Sequence, residues 1–197
     1  MAIEPGLFGK QAEDVGKHPA EATTQPPVAL SRSIRSWSVL ANAPLKNRLG
    51  RTGMTRKKRV LFLCVGNSCR SQMAEGLLRH MAPEKFDVHS AGSMASGLSS
   101  TAVRVMAELG IDISGHRSKR VDEFSDQTFD YVVTVCDETE DKPCPVFLGQ
   151  AGKQFHWPFD DPACATGNDQ QILAVFRRIR DQIRDRLERF VMETNTG

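Results

Sequence analysis

The sequence predicts an α/β fold, a three-layer α/β/α arrangement around a four-stranded, mainly parallel sheet. Short apolar runs that end at glycine or cysteine alternate with longer stretches whose apolar residues recur at helical spacing. Strands and helices in alternation close into a parallel sheet with helices packed on it. The first apolar run is continuous rather than alternating, as in a strand covered on both faces.

Residues 59–64 (RVLFLC) are the first strand, bounded by charge before it and by Gly66 just after it. A helix over residues 71–81 places Met73, Ala74, Leu77, Leu78 and Met81 on one face, and Pro83 follows its end. Residues 86–91 form a second strand ending in Gly92. Residues 100–109, closed by Gly110, form a second helix with Val103, Met106 and Ala107 as its buried face. A third strand spans 129–135 and meets Cys136. Residues 155–157 are a short fourth strand, after which Pro158 and Pro162 mark a loop. The last helix, residues 169–194, turns Ile172, Val175, Phe176, Ile179, Ile183, Leu187 and Val191 inward and its Arg and Asp side chains to water.

Upstream, residues 1–57 have no sustained period and carry Pro5, Pro19, Pro26, Pro27 and Pro44, the pattern of a disordered extension. Residues 31–57 are rich in Arg and Ser with no acidic residue, loosely like an organellar transit peptide, although Glu4, Glu13, Asp14 and Glu21 do not fit one. Met54 is an alternative start, since the folded pattern begins a few residues later. Residues 58–194 form one domain.

With 40% hydrophobic and 25% charged residues the chain has the composition of a soluble globular protein. It has no apolar run near the roughly 18 residues of a membrane span. The net charge of +2 gives no reason to expect nucleic acid as a partner. Five cysteines, an odd number, point to a reducing compartment such as the cytoplasm and to chemical rather than structural use of the thiols. No C-x-x-C pair is present and the five histidines are scattered, so neither a metal nor a cofactor is expected. A monomer is the default.

The chemistry points to Cys64-Val-Gly-Asn-Ser-Cys-Arg70-Ser71. In open α/β sheets ligands bind beyond the carboxyl ends of the strands, where Cys64 lies. The loop then runs into a helix N-terminus, whose unpaired amides and dipole favour an anion. Backbone amides of Val65, Gly66, Asn67, Ser68, Cys69, Arg70 and Ser71 would ring an oxyanion, with Gly66 allowing the curl and Cys64 as attacking thiolate. Arg70 adds a planar fork for two oxyanion oxygens. Ser71 can donate to the Cys64 sulfur, and Asn67 can brace the loop by bonding its backbone. The bland alternative is an inert strand-end cysteine beside a surface arginine.

CVGNSCRSQMAEGLL, the strand end Ser90-Ala91-Gly92 and the later Asp160-Asp161-Pro162 resemble the low-molecular-weight protein tyrosine phosphatase superfamily over residues 58–190. Within it, NSCRSQMAEG and HWPFDDPA resemble the thioredoxin-coupled arsenate reductases. The resemblance implies a low-molecular-weight phosphatase-like fold. It also implies that Cys64 attacks arsenate, for which phosphate is an analogue, while Asp161, rather than its neighbour Asp160, protonates the departing oxygen. Cys136 and then Cys144 would pass the oxidation along as disulfides, to be reopened by thioredoxin. Their spacing is one residue longer than the commoner pattern, and Pro143 precedes Cys144. The polar stretch 137–142 suits a segment that loops out. Some relatives hold potassium through the equivalents of Asn67 and Glu75 plus a hydroxyl and a carboxylate, which here are Arg117 and Lys119; no potassium site is expected, and Lys119 would take over the charge.

Three other readings stay open. One is a tyrosine phosphatase using Cys64, Arg70 and Asp161, although Ala163-Cys-Ala-Thr-Gly167 stands where tyrosines would follow the Asp-Pro pair. A second is a reductase recycled by a small thiol with glutaredoxin or mycoredoxin. The third is an oxyanion-binding or arsenic-sensing module without turnover; separately, Cys136 and Cys144 could be incidental, as they would be in a phosphatase.

Overall fold

The computed structural model describes residues 56–137 and 144–195. Most of the predicted extension and most of the predicted looping segment lie outside the described residues. The elements run β1 (Lys58–Cys64), α1 (Arg70–Met81), β2 (Phe86–Gly92), α2 (Ser100–Ala107), a short 3-10 turn (Val121–Phe124), β3 (Thr128–Thr134), β4 (Gln150–His156), a second 3-10 turn (Pro162–Cys164) and α3 (Asp169–Glu193). The four strands form one sheet in the order β2-β1-β3-β4, parallel throughout. None of the described helices is long and apolar enough to cross a membrane.

β1 is central, and Val60 to Cys64 are buried because both faces are covered. Its side chains alternate between two cores. Val60, Phe62 and Cys64 face a core built with the apolar sides of α1, α2 and α3; Leu61 and Leu63 join Phe124, Phe129, Val132 and Phe147 on the other side. Coverage is therefore two-sided but unequal. Among the described residues the three α-helices share the first face, and the first 3-10 turn and Phe147 close the second.

Three element-level expectations differ from the structure. β4 has seven residues rather than three, starting at Gln150. It is an edge strand whose residues are mostly exposed, so its pairing with β3 from Thr128–Gln150 to Thr134–His156 leaves no apolar signature. Gly152 is required there, since a Cβ would stand 2.8 Å from the Asp130 carbonyl oxygen. In α2 the buried residues are Ala102, Val105 and Met106, with Val103 half-buried and Ala107 exposed, so the buried face is rotated from the predicted one. Ser99 sets that start, its side chain accepting from the Ala102 N–H. In α3 one arginine turns inward. Arg180 is 6% exposed and donates to the Val105 carbonyl at 2.7 Å and to Glu108 at 3.0 Å, tying α3 to the end of α2.

Because every strand points the same way, four carboxyl ends meet at one edge of the sheet. Cys64, Gly92, Cys136 and the chain after His156 converge there.

Candidate active site

Cys64 is buried at the end of β1, and the loop to Arg70 wraps in front of it. The carbonyls of this loop are taken by a strap, residues 93–99. Met94 N donates to Val65 O at 2.9 Å, Ser96 N to Gly66 O at 3.1 Å, and Ser99 N to Ser68 O at 3.0 Å. With its carbonyls tied outward, the loop is left with its amide edge as the binding edge. The positive φ lies at Asn67 (44°), not at Gly66; asparagine tolerates this region better than other side chains. Gly66 is needed for space instead, since a Cβ there would meet Ser96 Oγ at 2.5 Å.

Asn67 is fully buried and organises the site by its side chain rather than by bonding the loop backbone. Its Oδ1 accepts from the Lys119 N–H at 2.7 Å and from Gln72 Nε2 at 3.0 Å, which makes the other end the donor. Nδ2 donates to Ser71 Oγ at 2.9 Å and to Ser90 Oγ at 2.8 Å. Ser90 Oγ in turn donates to Glu75 Oε2 at 2.5 Å. Ser71 Oγ, already accepting from Asn67, is 2.9 Å from Cys64 Sγ, and toward a Cys64 thiolate, which can only accept, it is the donor of that pair. A hydrogen-bonded chain thus runs from Asn67 through Ser71 to Cys64. Glu75, 3% exposed, is balanced by Arg79 at 2.6 Å and by Lys119 Nζ at 3.3 Å.

Arg70, at the first position of α1, is 2% exposed. NH1 donates to the Phe159 carbonyl at 3.1 Å and NH2 pairs with Asp161 Oδ2 at 3.1 Å. Asp161 also accepts from the Ala163 N–H at 3.0 Å, which starts the turn at Pro162. Its neighbour Asp160 is held by Arg178 at 3.1 Å. Cys69 Sγ lies 3.8 Å from Asp161 Oδ1, and burial, reinforced by Cys64 and Asp161, pushes the Cys69 thiol up to about 12. It stays protonated and is a donor to the carboxylate.

Cys136, 1% exposed, and Cys144 form a disulfide with Cα atoms 5.9 Å apart, inside the usual range in spite of the longer spacing and Pro143. Asp137, next to Cys136, lines the same cleft as Cys64, Gly66, Ser68, Arg70, Met94 and Asp161, a space of about 610 Å³. No aromatic side chain lines it among the described residues. Cys164 lies at this cleft as a free, exposed thiol, while Trp157 packs against Phe62 and Phe190 behind the Asp-Pro loop.

A cysteine at a strand end, an arginine fork and an amide-edged loop at a helix N-terminus are the parts of an oxyanion-transfer site. Residues 59–196 match the family described as low molecular weight phosphotyrosine protein phosphatase. The chain belongs to that family. Within that family, curated relatives that it matches are named arsenate reductases. It is 47% identical to an arsenate reductase of Halalkalibacterium halodurans over 134 residues, 68% of this chain and 95% of the relative. A solved arsenate reductase in the phosphate-binding state aligns with TM-score 0.56 at 35% identity, covering 69% of this chain and 98% of that one. Another, in the oxidized state, gives TM-score 0.58 at 32% identity with the same coverage.

Sequence reasoning missed Gln72, His116 and the strap. Gln72 Nε2 donates to Asn67 O at 3.1 Å and to the Arg117 carbonyl at 2.9 Å, so its Oε1 accepts from His116 Nδ1 at 2.9 Å. Burial holds His116 below its ordinary pKa, which keeps it neutral. A buried glutamine in the first turn of a helix has no periodic signal. The one available cue was its place directly after the Cys-Arg-Ser run.

Proposed function

We propose that this chain reduces arsenate to arsenite and so detoxifies arsenate. The observation that carries the reading is the Cys136–Cys144 disulfide, next to cleft-lining Asp137, in a low-molecular-weight phosphatase fold. A phosphatase resolves its phosphocysteine with water and has no use for two further thiols. Reduction of As(V) needs two electrons, which thiols can supply without a redox cofactor.

Arsenate binds on the loop amides of residues 65–71 with Arg70 bridging two oxygens. The Cys64 thiolate, which accepts from Ser71, attacks arsenic. An oxygen leaves as water with a proton from Asp161, and a Cys64–arsenic bond remains. The Cys136 thiolate then attacks the Cys64 sulfur; the sulfur–arsenic bond breaks, its electron pair stays on arsenic, and arsenite departs. Cys144 attacks Cys136 in turn, freeing the Cys64 thiolate and leaving the Cys136–Cys144 disulfide. Thioredoxin returns that pair to thiols. The chain works in the cytoplasm, where such a reductant keeps thiols available.

The cleft disfavours a dedicated tyrosine phosphatase, because no aromatic wall among the described residues would grip a phenyl ring. Slow hydrolysis of aryl phosphates is still expected, since phosphate and arsenate share shape and charge. The test is NADPH oxidation with arsenate, thioredoxin and thioredoxin reductase. Wild type should turn over, and Cys64→Ser, Cys136→Ser and Cys144→Ser should each abolish it. No turnover in wild type, with aryl phosphate hydrolysis through Cys64, would replace this reading by the phosphatase one.

A further inference from the structure

The disulfide has two unequal sides. Cys136 is buried, whereas Cys144 is partly exposed, so Cys144 is the member of the pair on the side open to an external thiolate. After Cys144 the chain lies outside every helix and strand until β4 begins at Gln150. Its burial alternates: Pro145 and Phe147 are buried, while Val146 is 72% and Leu148 87% exposed. Phe147 causes this, since its ring stacks edge-on against Phe129 at 5.6 Å in the second core. The anchor turns its two neighbours outward. Among the described residues only four large apolar side chains are exposed, and two of them stand within four positions of Cys144.

We propose that Val146 and Leu148 are the docking surface for the protein dithiol that reopens the Cys136–Cys144 disulfide. The proposal rests on the reductase reading for its partner. Its occupant follows from the chemistry beside the patch: a disulfide whose accessible sulfur adjoins exposed apolar side chains suits a protein that brings a thiol. The partner's thiolate attacks Cys144 Sγ, forming a mixed disulfide, and Cys136 leaves as thiolate. The partner's second thiol, deprotonated, attacks its own bonded sulfur and displaces Cys144 as thiolate. Two electrons pass to this chain, and the partner departs as a disulfide.

The test is single-turnover reduction of the preformed disulfide in the full chain, without arsenate, comparing wild type with the Val146→Ser/Leu148→Ser double variant. Reduced thioredoxin and dithiothreitol serve as alternative reductants. The double variant should be reduced by thioredoxin roughly 10-fold or more slowly, with the dithiothreitol rate unchanged, as expected on losing apolar anchors that only a protein partner touches. An unchanged thioredoxin rate overturns the proposal, as does an equal loss with both reductants. So does a wild-type dimer that becomes monomeric in the double variant, which would make the patch a self-association surface. Since arsenate is absent, failure of the arsenate reading appears separately, in the steady-state assay.

Discussion

At the scale of single residues, Asn67 decides the most, because its two amide ends face groups whose roles are not interchangeable. The Lys119 N–H can only donate, so Oδ1 accepts, Nδ2 donates, and Ser71 Oγ, accepting that bond, keeps its proton for a Cys64 thiolate. Ser71→Ala should therefore lower kcat/KM for arsenate about 10- to 100-fold, the loss expected for one hydrogen bond to a charged group. Melting temperature should fall by several degrees, because Asn67 Nδ2 loses a buried acceptor; a kinetic loss below about 3-fold in the folded variant would mean that the bond does not serve the nucleophile. Cys69 gives a second residue-level expectation. Held up to about 12 by burial, it should resist iodoacetamide at pH 8 in a Cys64→Ser background while exposed Cys164 is labelled, as read by peptide mass mapping. Equal labelling would show that Cys69 is not confined between the loop and Asp161. These residues were named from the sequence because Cys, Arg and Ser at fixed spacing carry chemistry. The direction of the Asn67 bonds was not legible, since it depends on Lys119, 52 positions away.

Elements act on the site through their ends. β2 ends at Gly92, where a Cβ would lie 2.5 Å from the Val65 carbonyl and 2.8 Å from the Asn67 nitrogen. The loop and the strand end are thus packed backbone to backbone. Gly92→Ala should destabilise the domain by about 1–3 kcal/mol, as overpacking does, and should weaken oxyanion binding more than the stability loss accounts for. Normal phosphate affinity in a folded Gly92→Ala protein would contradict this. At the other end of the sheet, Asp130 on β3 collects Arg56 NH1 at 2.8 Å and the Arg59 N–H at 2.8 Å. The hydrogen bond from Arg56, the largest favourable influence, helps hold its carboxyl down to about 2. Its folded pKa lies below the unfolded value of roughly 3.9, so its contribution is complete above that value and lost as pH falls through about 2. The melting temperatures of wild type and Asp130→Asn should differ by a constant amount above pH 5 and converge toward pH 2. A gap that persists at pH 2 would assign the effect to packing.

For the whole molecule, the family match starts at residue 59 and β1 at Lys58. A chain begun at Met54, which keeps Arg56 on Asp130, should equal the full chain in melting temperature and arsenate turnover; a clear drop in either would assign residues 1–53 a part in the domain. By itself the sequence determined the α/β class, the buried central strand, the place of the Cys64 loop between strand and helix, and the cysteines near the third strand. Each of these is written in local order, as apolar runs, helical spacing or short motifs. The tertiary structure alone decided which face the helices cover, the seven-residue edge strand β4, the rotated face of α2, the inward turn of Arg180 and the strap that takes the loop carbonyls. It also decided that Val146 and Leu148 face outward, because Phe147 is anchored against a ring 18 positions earlier in the chain. An edge strand needs only one neighbour and little burial, and a buried polar group needs a partner from any distance. Local order records neither, so both emerge only once the chain is packed.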